Sequence, residues 1–113
     1  ITQYFYNADA YFRFVDDCRK LAVTAPIVPG IMPIARFSQL ARFSDACGAE
    51  IPRWMRKTME GYGDDTESVQ AFGLDVVTQL CEKLLAGGAP ALHFYTLNQA
   101  GASLEILKRL GYQ

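Results

Sequence analysis

The chain has 113 residues, of which 50% are hydrophobic and 20% are charged, and its net charge is −1. A chain of this length forms at most one domain, and its apolar content is too high for intrinsic disorder. The balanced charge supplies no basic field, so we expect neither nucleic acid nor anionic lipid as a partner. The two longest uncharged stretches, 21–35 and 84–104, are interrupted by proline, glycine and polar residues, which excludes a membrane span in either.

The first half of the chain alternates between strand and helix patterns. Residues 1–6 are β-rich and predict a strand, and apolar side chains at spacings of three and four predict a helix over about 8–22. A short strand at 27–28 is expected to end at the proline that follows, because proline cannot donate to a sheet ladder. A second helix over about 37–46 and a short helical insert at 51–60 come next.

The second half contains the strongest helical pattern. A loop at 61–63 precedes a helix over about 65–86, and we expect Asp64 to cap it, with a glutamate three residues later in capping-box spacing. A third strand at 91–97 and a last helix at 103–110 follow. Strands that alternate with helices predict a parallel α/β sheet with helical crossovers. Three strands are few for a closed domain, so the sheet is either small and open or an arc of a barrel.

The helical periods also predict which side chains face the core. The first helix is expected to bury Tyr11, Phe14, Cys18 and Leu21, and the last helix Leu104, Leu107 and Leu110. The helix over 65–86 is expected to bury Val69, Phe72, Val76, Val77, Leu80, Leu84 and Leu85. Trp54, Met55 and Met59 are expected to form a satellite apolar cluster under the insert.

The cysteines and the histidine point to structure rather than catalysis. Cys18, Cys47 and Cys81 are odd in number and lack CxxC spacing, which argues against a disulfide framework and against a zinc site. We expect Cys18 and Cys81 to be buried, inert thiols in a reducing, cytoplasmic compartment. His93 is the chain's one histidine and lies among apolar residues of a predicted strand, so we expect a structural role and no metal site.

Amide and aromatic side chains near the strand ends are the best candidates for ligand binding, because parallel α/β folds bind ligands there. Gln3 lies in the first strand, Gln99 follows the third, and Gln39 and Phe43 share a helical face after the second. Amides both donate and accept, which suits the mixed edges of a pterin, flavin or nicotinamide. Phe43 could stack on a flat ring. A buried, satisfied amide at Gln3 and a core position for Phe43 are the alternatives.

Four motifs carry a resemblance to a known family. ITQYFY at 1–6, PGIMP at 29–33, IPRWM at 51–55 and HFYTLN at 93–98 resemble, in this order and spacing, the methylenetetrahydrofolate reductases. The resemblance covers essentially the whole chain and implies a flavin-containing (β/α)8 barrel. A complete barrel needs about 250 residues. Residues 1–113 would therefore be its C-terminal portion, with the sixth, seventh and eighth strands and a helical insert.

The resemblance also implies an activity for the full-length protein. Such an enzyme passes a hydride from NADH or NADPH through FAD to 5,10-methylenetetrahydrofolate, which gives 5-methyltetrahydrofolate; we expect a cytoplasmic homo-oligomer. Gln3 and Gln39 match substrate-contacting glutamines, and Phe43 matches the aromatic residue that stacks on the substrate. Gln99 stands where several members carry an arginine, so it cannot pair with a carboxylate of folate.

The proton donor and the main FAD contacts of the family fall outside the matched motifs. We therefore expect the 113-residue chain alone to be inactive and to contribute part of a substrate-binding wall. The alternative, from another class, is a non-catalytic α/β binding or interaction module.

Overall fold

A computed structural model describes residues 1–96 and 100–112. The secondary structure in chain order is α1 (Ala8–Lys20), β1 (Gly30–Ile31), α2 (Phe37–Cys47), α3 (Arg53–Tyr62), α4 (Thr66–Ala86), β2 (His93–Phe94) and α5 (Gly101–Arg109). The prediction of a mixed α/β fold is confirmed. None of the helices in these described residues is long and apolar enough to cross a membrane.

The sheet is parallel, as predicted, and β1 lies at its centre. Gly30 pairs with His93 of β2 on one side. On the other side, Tyr4 forms an isolated parallel bridge with Gly30. The segment at 1–6, β1 and β2 therefore lie side by side in chain order, and their carboxyl ends point to one edge of the sheet.

The predicted strands were wrong in extent. The first keeps only the bridge at Tyr4, the second lies at Gly30–Ile31 instead of 27–28, and the third is reduced to His93–Phe94. Pro29 does not end the second strand, because its carbonyl oxygen still accepts the N–H of His93 at 3.0 Å. The N–H of Gly30 donates to the side-chain oxygen of Thr2, also at 3.0 Å. A side chain thus accepts a hydrogen bond that a backbone carbonyl would accept in a regular sheet.

Several helix boundaries also differ from the predictions. α3 continues to Tyr62, so the predicted loop at 61–63 is wrong, and the chain leaves the helix at Gly63, whose φ is 59°. Asp65 rather than Asp64 caps α4, and its carboxylate accepts the backbone N–H of Ser68 at 3.1 Å. α1 ends before Leu21, and α5 begins two residues earlier than expected.

The core surrounds α4, which packs against α1, α3 and α5. Its predicted apolar face is confirmed, with the fully buried side chains of Val77 and Leu84 at its centre. The insert contributes directly to this core rather than forming a satellite cluster, since Met55 and Met59 are fully buried. Cys81 is buried, Cys18 is half-buried and Cys47 is exposed.

Two predicted apolar stripes were partly wrong. Phe14 is 51% exposed and Leu21 is 79% exposed. The reason is that α1 ends before Leu21 and packs on the core through Tyr11 and Phe12. The ring of Phe12 lies against Gly87. Leu104 is 62% exposed, because α5 buries Ser103 and Ile106 instead.

Candidate functional site

A cleft of about 390 Å³ lies beyond the carboxyl ends of β1 and β2. The loop after β1, the residues that follow β2, and one side each of α2, α4 and α5 form its walls. Its lining residues combine apolar surface with amide, hydroxyl and carboxylate groups: Met32, Pro33, Ile34, Ala35, Gln39, Gln70, Leu74, Tyr95, Thr96, Gly101, Ala102 and Glu105. This is the edge at which a parallel α/β sheet binds its ligands.

Gln39 is the predicted site residue that this cleft contains, and it is half-buried. Gln70 and Glu105 were missed by the sequence reasoning. Gln70 lies outside the apolar stripe of a long helix, and the spacing of Glu105 from Arg109 predicts a surface ion pair, which the structure contains at 3.5 Å. Only the tertiary placement of α4 and α5 shows that both side chains border the same cleft.

The other predicted residues lie elsewhere. Gln3 is exposed in a groove between the first segment and α1, and its side-chain oxygen accepts the N–H of Tyr4 at 3.0 Å. Phe43 is 38% exposed on α2, so the alternative of a core position is not supported. Gln99 lies outside the described residues. The structure therefore places Gln39 in the cleft and Gln3 in a separate groove.

Tyr95 connects the cleft with the peptide that carries Gln3. Its ring lines the cleft, and its hydroxyl donates to the carbonyl oxygen of Thr2 at 2.8 Å, across the central strand. Gly30 lies beneath this crossing, where a Cβ atom would stand 2.5 Å from that carbonyl oxygen and 2.7 Å from the ring of Tyr95. Glycine is required here because the approach leaves no room for a side chain.

A buried hydrogen bond of 2.7 Å joins the hydroxyls of Tyr4 and Ser44. Tyr4 directly follows Gln3, and Ser44 directly follows Phe43. The bond therefore links the segment that carries one predicted site residue to the helix that carries two others.

Two more tyrosines bind backbone carbonyls. The hydroxyl of Tyr6 donates to Met32 at 3.0 Å, and that of Tyr11 donates to Ile27 at 2.6 Å. Burial raises the pKa of both phenols above the usual range, with a smaller contribution from Tyr4 in the case of Tyr6. Both groups are therefore neutral donors near pH 7.

The described lining of the cleft offers groups that suit recognition of a ligand. Two amides, a hydroxyl and the carboxylate of Glu105 can bind a flat, polar molecule along its edge, and the apolar wall can cover its face. His93 is half-buried, with its ring edge-on to Tyr95 at 4.9 Å between centroids, which fits the structural role expected of it. Within the described residues, no three His, Cys, Asp or Glu side chains cluster as metal ligands.

Comparison with known proteins places this architecture in a family. A family model described as methylenetetrahydrofolate reductase matches residues 1–111. A probable methylenetetrahydrofolate reductase (NADH) of Oryza sativa subsp. japonica is 43% identical over 98% of this chain and 19% of its own length. A probable methylenetetrahydrofolate reductase (NADPH) of Caenorhabditis elegans is 40% identical over 98% of this chain and 17% of its own length. The chain thus spans about a fifth of the length of these relatives.

A solved structure shares the fold at lower identity. It is an uncharacterized protein from Clostridium thermocellum that binds two copies of 5-methyl-5,6,7,8-tetrahydrofolic acid. It superposes with a TM-score of 0.59 at 21% sequence identity, over 96% of this chain and 41% of that chain. Because the family model matches nearly every residue and the resemblance of the four motifs is thereby confirmed, the chain belongs to the methylenetetrahydrofolate reductase family.

Proposed function

We infer that this chain forms part of the substrate-binding wall of a flavin-dependent reductase, which converts 5,10-methylenetetrahydrofolate to 5-methyltetrahydrofolate with NADH or NADPH. Residues 1–113 would be the C-terminal portion of its (β/α)8 barrel. Family membership supports the reaction. Relatives named for NADH and for NADPH both occur, so either is a candidate hydride donor.

The observation that carries this proposal is the position of Gln39. Three parallel segments lie in chain order, as consecutive barrel strands do, and Gln39 lines a cleft at their carboxyl ends. Barrel enzymes bind their substrates at this face. An amide at this position can meet both the donors and the acceptors of a pterin or of a nicotinamide carboxamide.

FAD is assigned to parts of the full-length protein outside this chain. The described lining of the cleft has one acidic side chain, Glu105, and no lysine or arginine to face the diphosphate of FAD. The described lining of this cleft therefore does not fit the diphosphate of FAD on its own. When bound, FAD would carry the hydride, and this chain would bind and orient the folate and the nicotinamide ring.

Substitution of Gln39 in the full-length, flavin-loaded protein tests the proposal. Loss of one substrate hydrogen bond, of about 1 kcal/mol, should raise the KM for methylenetetrahydrofolate about fivefold in Gln39→Ala. Gln79→Ala is the matched control, because Gln79 is an exposed amide of α4 outside the cleft. Equal KM values for the two variants and the unmodified protein would contradict the proposal.

The remaining predicted residues extend the same test. Gln3→Ala should weaken folate turnover more than stability, and Phe43→Ala should raise the KM for either substrate while flavin stays bound. Gln99→Arg should change folate affinity more than NAD(P)H oxidation, because it restores a cation.

Absence of folate-dependent NAD(P)H oxidation in the flavin-loaded protein would favour the alternative, a non-catalytic α/β binding or interaction module.

A further inference from the structure

We propose that the buried hydrogen bond between Tyr4 and Ser44 is a positioning device, which fixes Gln3 relative to the substrate-facing side of α2. This inference rests on the proposed function, since it assumes that Gln3, Gln39 and Phe43 contact the substrates. It assigns roles to two residues that touch no substrate themselves.

The placement of the bond in the chain carries the inference. Tyr4 and Ser44 are 4% and 1% exposed, and their hydroxyl oxygens lie 2.7 Å apart although 40 residues separate them. Each residue directly follows a predicted substrate contact, Gln3 in one case and Phe43 in the other. A displacement of either segment that breaks the bond therefore also displaces a side chain of the proposed wall.

Helix geometry connects the same bond to both candidates on α2. Leu40 and Ser44 form the buried side of this helix, whereas Gln39 is half-buried and Phe43 is exposed. Successive residues of an α-helix are about 100° apart, so the pair Gln39–Phe43 lies beside the pair Leu40–Ser44 around the axis. Rotation of α2 about its axis would move Gln39 and Phe43 together, and the hydrogen bond resists that rotation.

Apolar packing alone would hold α2 less specifically. The contact of Leu40 with the core has no preferred direction, and Arg36 at the N-cap makes no side-chain cap bond. A hydroxyl pair is directional, and a buried hydroxyl that loses its partner is disfavoured about tenfold or more. The bond therefore selects one orientation among those that apolar packing would allow.

The test uses the full-length, flavin-loaded protein and three variants: Tyr4→Phe, Ser44→Ala and the double variant. Each single change leaves one buried hydroxyl without its partner, so Tm should fall. The KM for methylenetetrahydrofolate should rise about fivefold, because the restraint that keeps the substrate-binding side chains in position is worth about one hydrogen bond. In the double variant no hydroxyl is left unpaired, so Tm should recover while KM stays raised.

Two controls separate positioning from general stability. Ser68→Ala removes another side-chain hydrogen bond, of 2.7 Å to the carboxylate of Asp65, and lies outside both the cleft and the groove of Gln3, so it should lower Tm without changing KM. In a Phe43→Ala, Gln39→Ala background, Tyr4→Phe should raise KM much less than in the unmodified protein, because the α2 side chains relative to which Gln3 is positioned are gone.

The outcomes are distinguishable. Recovery of KM together with Tm in the double variant would overturn the positioning role, because the bond would then act through stability alone. A raised KM in Gln39→Ala or Phe43→Ala, together with an unchanged KM in Tyr4→Phe and Ser44→Ala, would overturn the positioning role and keep the proposed function. An unchanged folate KM in Gln3→Ala, Gln39→Ala and Phe43→Ala would overturn both.

Discussion

The helical layer and the strand layer of this molecule are held together in different ways. Around α4, fully buried side chains such as Val77, Leu84 and Ile106 interlock, and the 2.8 Å ion pair between Asp75 of α4 and Arg109 of α5 is solvent-exposed. In the strand layer, β1 and β2 contain two residues each, and the first segment is joined through a single bridge. The comparison shows that hydrogen bonds from side-chain hydroxyls can hold together a parallel sheet whose strands share few backbone hydrogen bonds.

Four tyrosine hydroxyls supply those bonds. Each bridges two segments that are distant in the chain: Tyr4 to Ser44, Tyr6 to Met32, Tyr11 to Ile27 and Tyr95 to Thr2. Three of the four acceptors are backbone carbonyls of the strand region. Apolar packing should therefore dominate stability in the helical layer, whereas single polar contacts should dominate local order in the strand layer.

The largest expected effect is in the helical layer. Leu84→Ala removes a side chain with 0% exposure in the middle of the α4 contacts. It should lower the free energy of unfolding by about 3 kcal/mol, through lost burial and the cavity left behind. Urea denaturation followed by circular dichroism measures this. Leu104→Ala, on the 62% exposed position of α5, should change the same quantity by less than about 0.5 kcal/mol.

The next effect tests the close approach in the strand layer. Gly30→Ala places a Cβ atom against the carbonyl oxygen of Thr2 and the ring of Tyr95, and should cost about 2 kcal/mol of unfolding free energy. The matched control is Gly61→Ala on α3, where no heavy atom outside the local backbone lies within 4 Å. Alanine there should stabilise the helix by about 0.5 kcal/mol. Equal destabilisation by the two changes would mean that the crossing of Tyr95 is not tight.

A smaller effect is expected for the hydroxyl that crosses this glycine. Tyr95→Phe keeps the ring but leaves the carbonyl oxygen of Thr2 without this donor, at a cost of about 1 kcal/mol. Tyr62→Phe is the control, since Tyr62 is exposed at the end of α3 and its ring packs edge-on against Phe72. Amide hydrogen exchange should show faster opening near Thr2 in Tyr95→Phe alone. Unaltered protection at that position would show that the backbone ladder is sufficient.

The helical layer could be predicted from the sequence, because its period is local. The spacing of apolar side chains, together with Pro52 at the start of the insert, located the five helices of the described residues and the buried face of α4. The stripes of α1 and α5 were partly wrong, because two adjacent faces of a short helix can have similar apolar content. Which face is buried then depends on the neighbour, as the contact of Phe12 with Gly87 shows.

The strand layer and the cleft could be predicted only in outline. Alternation and composition gave the order of the strands, but the acceptors of the tyrosine hydroxyls lie between 16 and 93 residues away in the chain. No local pattern encodes such pairs. The same holds for the site: Gln39 was predicted from its position after a strand, whereas Gln70 and Glu105 meet it only through the packing of α4 and α5.

The smallest expected effect concerns the start of α4 and its dependence on pH. The carboxylate of Asp65 accepts the hydroxyl of Ser68 at 2.7 Å and the backbone N–H of the same residue at 3.1 Å. Both bonds lower the pKa of Asp65 below its usual value, and the hydroxyl contributes more than the N–H. A lowered pKa in the folded state stabilises the protein above the pKa of the unfolded state, about 3.9, and this contribution is lost as the pH falls through the folded-state pKa.

The Tm of Asp65→Ala should therefore lie below that of the unmodified protein at pH 7. The gap should begin to narrow below about pH 4 and close as the pH falls through the lowered folded-state pKa, where the unmodified protein loses its charged cap. Asp64→Ala is the matched control, because Asp65 rather than Asp64 accepts the cap bond. It should leave Tm nearly unchanged at both pH values. A constant gap between Asp65→Ala and the unmodified protein from pH 7 to the acid limit would show that the hydrogen bonds to Ser68 do not depend on the charge.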